Sequence, residues 1–278
     1  MPITLPTCCS RPAFDLFAKQ VNSIETTDGL LRAAIAMAMH QLDGVTVQSV
    51  DRTLKGYAKM IASRVRGPQQ QAVLAHLHQY LFDELAYAGN NDDYYNPANS
   101  YLPEVLASRS GLPITLTLIY KVVAEKLGQE VQGVGLPGHF IAAVATDAGP
   151  MYVDCFNGGR ILTAGECQEQ VERIFADTVE WTDSMLDPVS NRMWVSRMIQ
   201  NLLHVFTTHQ QWNDVAAMIE LQMVLWPSQT QLKRDLGLVL ARIDMPKPAS
   251  MWLHDYLRCN PNDPERDELV ELVSKLSR

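Results

Sequence analysis

The sequence predicts an α+β fold: mostly helical, with a small antiparallel sheet near its middle and a helical tail. Three observations predict it. Residues 13–87 carry apolar side chains at helical spacing, residues 109–159 read as one helix followed by three short β-rich runs, and the last third repeats itself at an interval of 34 residues. The 278 residues are enough for one large domain or two ordinary ones.

Composition excludes several classes of function. Hydrophobic residues make up 47% and charged residues 19%, as in globular proteins, and no run approaches the 18 apolar residues of a membrane span. With no basic-then-apolar leader either, the expectation is a soluble, cytoplasmic chain that does not engage membranes. A net charge of −8 without a basic stripe argues against nucleic acid, whose affinity rests on Lys and Arg neutralising phosphates. Cys8, Cys9, Cys155, Cys167 and Cys259 are an odd, scattered set, read as free thiols in a reducing compartment. Neither CxxC, HExxH nor a calcium-loop pattern occurs, so no metal and no cofactor is expected.

Residues 1–12 show no periodicity and are expected to be a loose leader. Helices follow over 13–22 and 28–42, the second with Asp28 as its N-cap, and over 47–65, stopped by Gly67 and Pro68. A fourth covers 69–87, with Val73, Leu74, Leu77, Leu81 and Leu85 on one side. GNNDDYYNPANS, residues 89–100, then breaks the pattern. Such Asn and Asp side chains bond their own backbone in turns, so a well-knit loop is one reading; a hydrogen bond from Asn99 to a site histidine is the other.

The chain is organised around residues 109–159, RSGLPITLTLIYKVVAEKLGQEVQGVGLPGHFIAAVATDAGPMYVDCFNGG. Pro113 suits a first helical turn and Gly128 closes the helix, with Leu116, Ile119, Val122, Val123 and Leu127 facing the core and Thr117, Lys121 and Glu125 on a wet arc. Thr115 falls inside the apolar arc. Residues 130–135, 137–145 and 151–156 are expected strands, the last two forming a hairpin. His139 enters the first strand of that hairpin and Asp154 ends the second. A register in which paired numbers sum to 293 or 295 places both on one face, and a slip of one residue separates them.

These segments resemble the transglutaminase-like superfamily, a papain-like arrangement in which a helix N-terminus supplies a cysteine nucleophile. More closely, GNNDDYYNPANSYLPEVLASRSGLPITL, LGQEVQGVGLPGHF and VDCFNGG resemble the bacterial SirB-type family, which joins such a domain to a tetratricopeptide tail. The resemblance spans roughly residues 15–270 and implies that His139 and Asp154 match the superfamily's histidine and aspartate. The cysteine slot falls near Pro113, Ile114 or Thr115, and the helix holds no cysteine.

In the tail, DVAAMIELQMVLWP ends at Pro227 and PASMWLHDYLRCNP at Pro261, with residues 191–206 and 228–242 as preceding helices and 264–276 as a cap. A period of 34 is that of tetratricopeptide helix pairs. Residues 186–191 are the expected linker, giving a transglutaminase-like domain over 13–187 and a helical domain over 188–278.

The candidate site residues are His139 and Asp154 as base and orienter, Thr115 as a hydroxyl in the nucleophile's place, and Asn99, Arg109 and Gly138 around them. Gly138 lets the backbone approach closely beside His139, and Arg109 could meet Asp92, Asp93 or a substrate carboxylate. Threonine's methyl crowds its oxygen, which makes it a poor internal nucleophile. The leading expectation is a non-catalytic or degenerate transglutaminase-like protein with a regulatory role, binding a protein or peptide through its repeats and former cleft. The alternative is an amide- or peptide-bond hydrolase or transferase using His139 and Asp154 without a cysteine.

Overall fold

The computed structural model describes residues 3–67, 69–175 and 178–276. Four helices open the fold: α1 (Arg11–Gln20), α2 (Thr27–Ala38), α3 (Val47–Ala62) and α4 (Gln70–His78), the last running on into a wider π turn over Gln79–Glu84. The cap of α2 is Thr26, whose hydroxyl accepts from Gly29 N at 3.0 Å, rather than Asp28. Strand β1 (Ala88–Gly89) pairs in parallel with β2 (Ser110–Gly111), and a short α5 (Leu102–Ser108), not expected from the sequence, lies between them.

Helix α6 (Pro113–Lys126) is the centre of the molecule. Every residue from Pro113 to Ala124 is buried, so the wet arc expected at Thr117 and Lys121 does not exist. Lys121 tolerates this because its ammonium is shared between the Glu125 carboxylate and the Val131 carbonyl. Against α6 lies a five-stranded antiparallel sheet in the order β6-β5-β4-β3-β7, from β3 (Val131–Val134), β4 (Ile141–Thr146), β5 (Gly149–Asp154), β6 (Arg160–Leu162) and β7 (Pro188–Val189). The expected linker thus supplies an edge strand, and the boundary at 187/188 meets it. The β4–β5 register pairs Ala142 with Val153 and Ala143 with Tyr152, the sum of 295 that keeps His139 and Asp154 together. Side chains alternate: Ala142, Val144 and Val153 enter the main core, while Ile141, Ala143 and Leu162 pack with Cys167 and Val171 of α7 (Ala164–Phe175).

The tail is α8 (Asn191–Thr208), α9 (Trp212–Leu225), α10 (Gln231–Arg242), α11 (Pro246–Cys259) and α12 (Arg266–Leu276). Its repeat is geometric as well as sequential. Helices α9 and α11 are both 14 residues long, and each follows a non-glycine residue in the left-handed region, Gln210 at φ +57° and Asp244 at φ +58°. Helices α8 and α9 dock on α2 and α1, so the main core is continuous across the chain.

The leader is not loose over the part described. The buried carboxylate of Glu220 on α9 accepts from the backbone N–H of Thr7 (2.5 Å), Cys8 (3.2 Å) and Cys9 (2.7 Å). Ser10 N donates to His40 Nδ1 at 3.2 Å, and His40 Nε2 lies 3.0 Å from Asp214 Oδ1. Burial pushes the Glu220 carboxyl up, against the pull of the three N–H groups. No helix among the described residues is long and apolar enough to cross a membrane.

Candidate functional site

His139 is held by a turn that the sequence writes out. His139 N donates to Leu136 O at 3.1 Å across Pro137 and Gly138, with proline where φ near −65° is wanted and Gly138 at φ +69°, the pattern of a type II turn. A Cβ on Gly138 would also come within 3.0 Å of the Phe175 ring. The turn places His139 two residues ahead of β4, not within the strand as expected. From α8, Arg197 Nη2 donates to the carbonyls of both Leu136 (3.0 Å) and His139 (2.8 Å), with its guanidinium over the Phe140 ring. Burial holds the Arg197 guanidinium below its ordinary pKa.

Asp154 is fixed as firmly. It ends β5 and caps the turn after it: Oδ1 accepts from Phe156 N (3.1 Å) and Asn157 N (3.2 Å), and Oδ2 from Asn157 Nδ2 (2.8 Å) and, from α7, Gln170 Nε2 (3.5 Å). Burial alone would raise this carboxyl. The adjacent His139 and the Asn157 donors outweigh it and hold Asp154 below the usual carboxylate range.

The two side chains meet, with His139 Nε2 3.0 Å from Asp154 Oδ1, at 6% and 2% exposure. The oxygen lies off the axis of the ring N–H, so Nε2 has no aligned hydrogen bond, and the contact is a close approach of ring and carboxylate. Nδ1 has no protein partner among the described residues and, unlike Nε2, is not an enclosed atom. The arrangement therefore leaves one imidazole nitrogen for a reacting group. Phe156 stands edge-on to the ring at 6.1 Å, followed outward by Tyr94 and Tyr95.

Neither Thr115 nor the buried thiols are activated nucleophiles. Thr115 sits in the first turn of α6 as expected, wholly buried, and its Oγ1 has no hydrogen-bond partner, His139 included. Cys155, with Thr117 beside it, is fully buried, and that burial pushes its thiol far above the ordinary range. Burial likewise raises Cys8 and Cys167 to about 11 and Cys9 to about 12, so none of these is a ready thiolate at neutral pH.

The other sequence-picked residues serve the loop. Asn99 Nδ2 donates to the carbonyls of Asp93 (2.7 Å) and Tyr94 (3.1 Å) and its Oδ1 accepts from Asn90, which spends the amide away from His139. Arg109, left-handed at φ +64° where α5 ends, donates to the Leu85 carbonyl at 3.2 Å rather than to Asp92 or Asp93. Sequence reasoning missed Arg197, Asn157 and Gln170. A single arginine between Trp194 and Met198 on an apolar helix was the available signal for the first.

A family model described as the transglutaminase-like superfamily matches residues 48–200, which include α6, the sheet, His139 and Asp154. The chain belongs to the transglutaminase-like superfamily. Among its relatives, this transglutaminase-like chain is 32% identical over 266 residues to a UPF0162 protein of Xylella fastidiosa, covering 91% of the chain and 95% of the relative. A UPF0162 protein of Vibrio cholerae is 21% identical over 197 residues, 70% of the chain and 73% of the relative. Mouse F-box only protein 21 is 30% identical over 174 residues, 59% of the chain but 27% of that protein. No solved structure matches the transglutaminase-like chain.

Proposed function

We propose that this chain is a SirB-type protein whose transglutaminase-like domain has lost its chemistry and acts, with a tetratricopeptide-like tail, as a regulatory protein-interaction module. The observation that carries the reading is the first turn of α6. Where the superfamily's helix supplies a thiol, this chain has Thr115, sealed in the core with its hydroxyl bonded to nothing. A group that touches neither solvent nor His139 cannot be handed a substrate carbonyl. The 34-residue recurrence of helix, turn and left-handed residue supports the tetratricopeptide part, because such pairs stack into surfaces that take peptides. The similarity to part of F-box only protein 21, a protein whose name refers to another module, supports a domain used within larger architectures.

The test is turnover. Wild type and His139→Ala are compared for peptide-library hydrolysis and for amine incorporation into glutamine-containing peptides. Both should stay at background. Hydrolysis or transfer by the wild type that vanishes in His139→Ala would establish the second reading, an amide-bond hydrolase or transferase with a water molecule or Thr115 as nucleophile. That reading is favoured by one observation, the unpartnered His139 Nδ1 beside a carboxylate.

A further inference from the structure

Far along the chain from the His139–Asp154 pair, and sharing no residue with it, the leader and the last two helices enclose a groove of about 690 Å³. Its walls are Leu5 of the leader, Met251 and Trp252 of α11 and Val270 of α12. Three of these are large apolar side chains left open to solvent, Leu5 at 61%, Met251 at 55% and Val270 at 43%. Scattered single apolar residues need no explanation, but three facing one concavity of this size form a patch that other chains recognise.

The charges at the rim decide what fits. Arg258 and Arg266 line the groove, and the one carboxylate among its described lining residues, Asp255, is taken by Lys233 at 2.7 Å as well as by Arg258. The surplus is positive, on a chain whose net charge is −8. At physiological salt a charge is felt over about 8 Å, so within the groove these arginines outweigh the acidic remainder of the surface. A basic segment would be drawn elsewhere on the molecule and repelled here.

We infer that this groove is the docking site for an acidic, apolar peptide segment of a partner protein, with apolar side chains against Met251, Leu5 and Val270 and carboxylates at Arg258 and Arg266. The inference rests on the interaction reading only in naming the partner's chemistry. Binding and turnover are measured separately, so either can fail alone. Two routes lead to such a contact, a partner's segment or a second copy of this chain, and a two-fold pairing of copies through this groove would set one positive rim against another, which favours the first.

The experiment selects random displayed peptides on the full-length protein and measures the synthesised winners by fluorescence polarisation. The winners should combine Leu, Ile, Phe or Met with Asp or Glu, and their affinity should fall as salt is raised. The pair Met251→Asp with Arg258→Glu should weaken them at least tenfold, and Val270→Asp, on the facing helix, should do so independently. Both sets of changes lie at exposed positions, and circular dichroism confirms that the variants fold. His139→Ala should bind as the wild type does. Basic winners, or winners that bind the altered proteins equally well, overturn the proposal. So does a dimer by light scattering that Met251→Asp dissolves, since the groove then belongs to a second copy.

Discussion

Among the described residues two histidine–aspartate pairs share the same 3.0 Å separation, one half-buried and one buried, and they are built for different ends. In the His40–Asp214 pair both ring nitrogens are spent: Nδ1 accepts from Ser10 N, which fixes the proton on Nε2 and points it at Asp214. The pair is a clasp for the leader. In the His139–Asp154 pair the carboxylate is the crowded partner, with four nitrogen donors of its own, while the imidazole keeps Nδ1 unspent and its Nε2 contact out of line. A histidine beside an aspartate is therefore no mark of a site. What distinguishes the second pair is a ring nitrogen without a hydrogen-bond partner among the described residues.

The difference can be broken experimentally, most strongly at Asp154. Asp154→Ala strands two backbone N–H groups, the Asn157 amide and the His139 ring, and should cost about 3 kcal/mol in urea unfolding. Glu220→Ala releases Thr7, Cys8 and Cys9 to water, and because the leader can then lift away the expected loss is smaller, about 2 kcal/mol. Hydrogen exchange over residues 3–10 should rise with it. Asp214→Ala removes the acceptor of both His40 and Gln41 at a partly exposed position and should cost about 1 kcal/mol. If Asp214→Ala proves as damaging as Asp154→Ala, the contrast between a clasp and a site collapses.

The smallest effect is a pH dependence. Because the folded-state pKa of Asp154 is depressed, its contribution is fully present above the ordinary carboxylate value of about 4 and is lost as pH falls through the lower folded value. The stability gap between wild type and Asp154→Asn should shrink on acidification below about pH 4, measured by urea titration at each pH. A gap that widens would mean that burial outweighs the neighbouring donors.

Much of the centre was legible in the sequence. Turn residues and alternation set the β4–β5 register, and with it the meeting of His139 and Asp154, because both are local rules. Pro113 and Gly128 bracketed α6 for the same reason. The wet arc on α6 failed because Lys121 is buried by a carbonyl on the following strand, a partner no helical wheel contains. The leader failed likewise: its pattern is empty, and its order comes from Glu220. Asn99 and Arg109 do not meet the histidine and aspartates expected of them, because their donors go to main-chain carbonyls, which a sequence does not display. The left-handed Gln210 and Asp244 show that the 34-residue period extends to backbone torsion, although neither residue type announces it.

The Glu220 carboxylate joins two segments far apart along the chain, with Cys9 N separated from it by 211 residues. At a ribosome adding about 5–20 residues per second, the opening segment must wait roughly 10–40 s for that acceptor to be synthesised. During the interval Thr7, Cys8 and Cys9 are solvated and both thiols are accessible. The segment around Thr7–Cys9 thus gains its acceptor only once α9 is made, and a chaperone or oxidant that reaches it does so before α9 emerges.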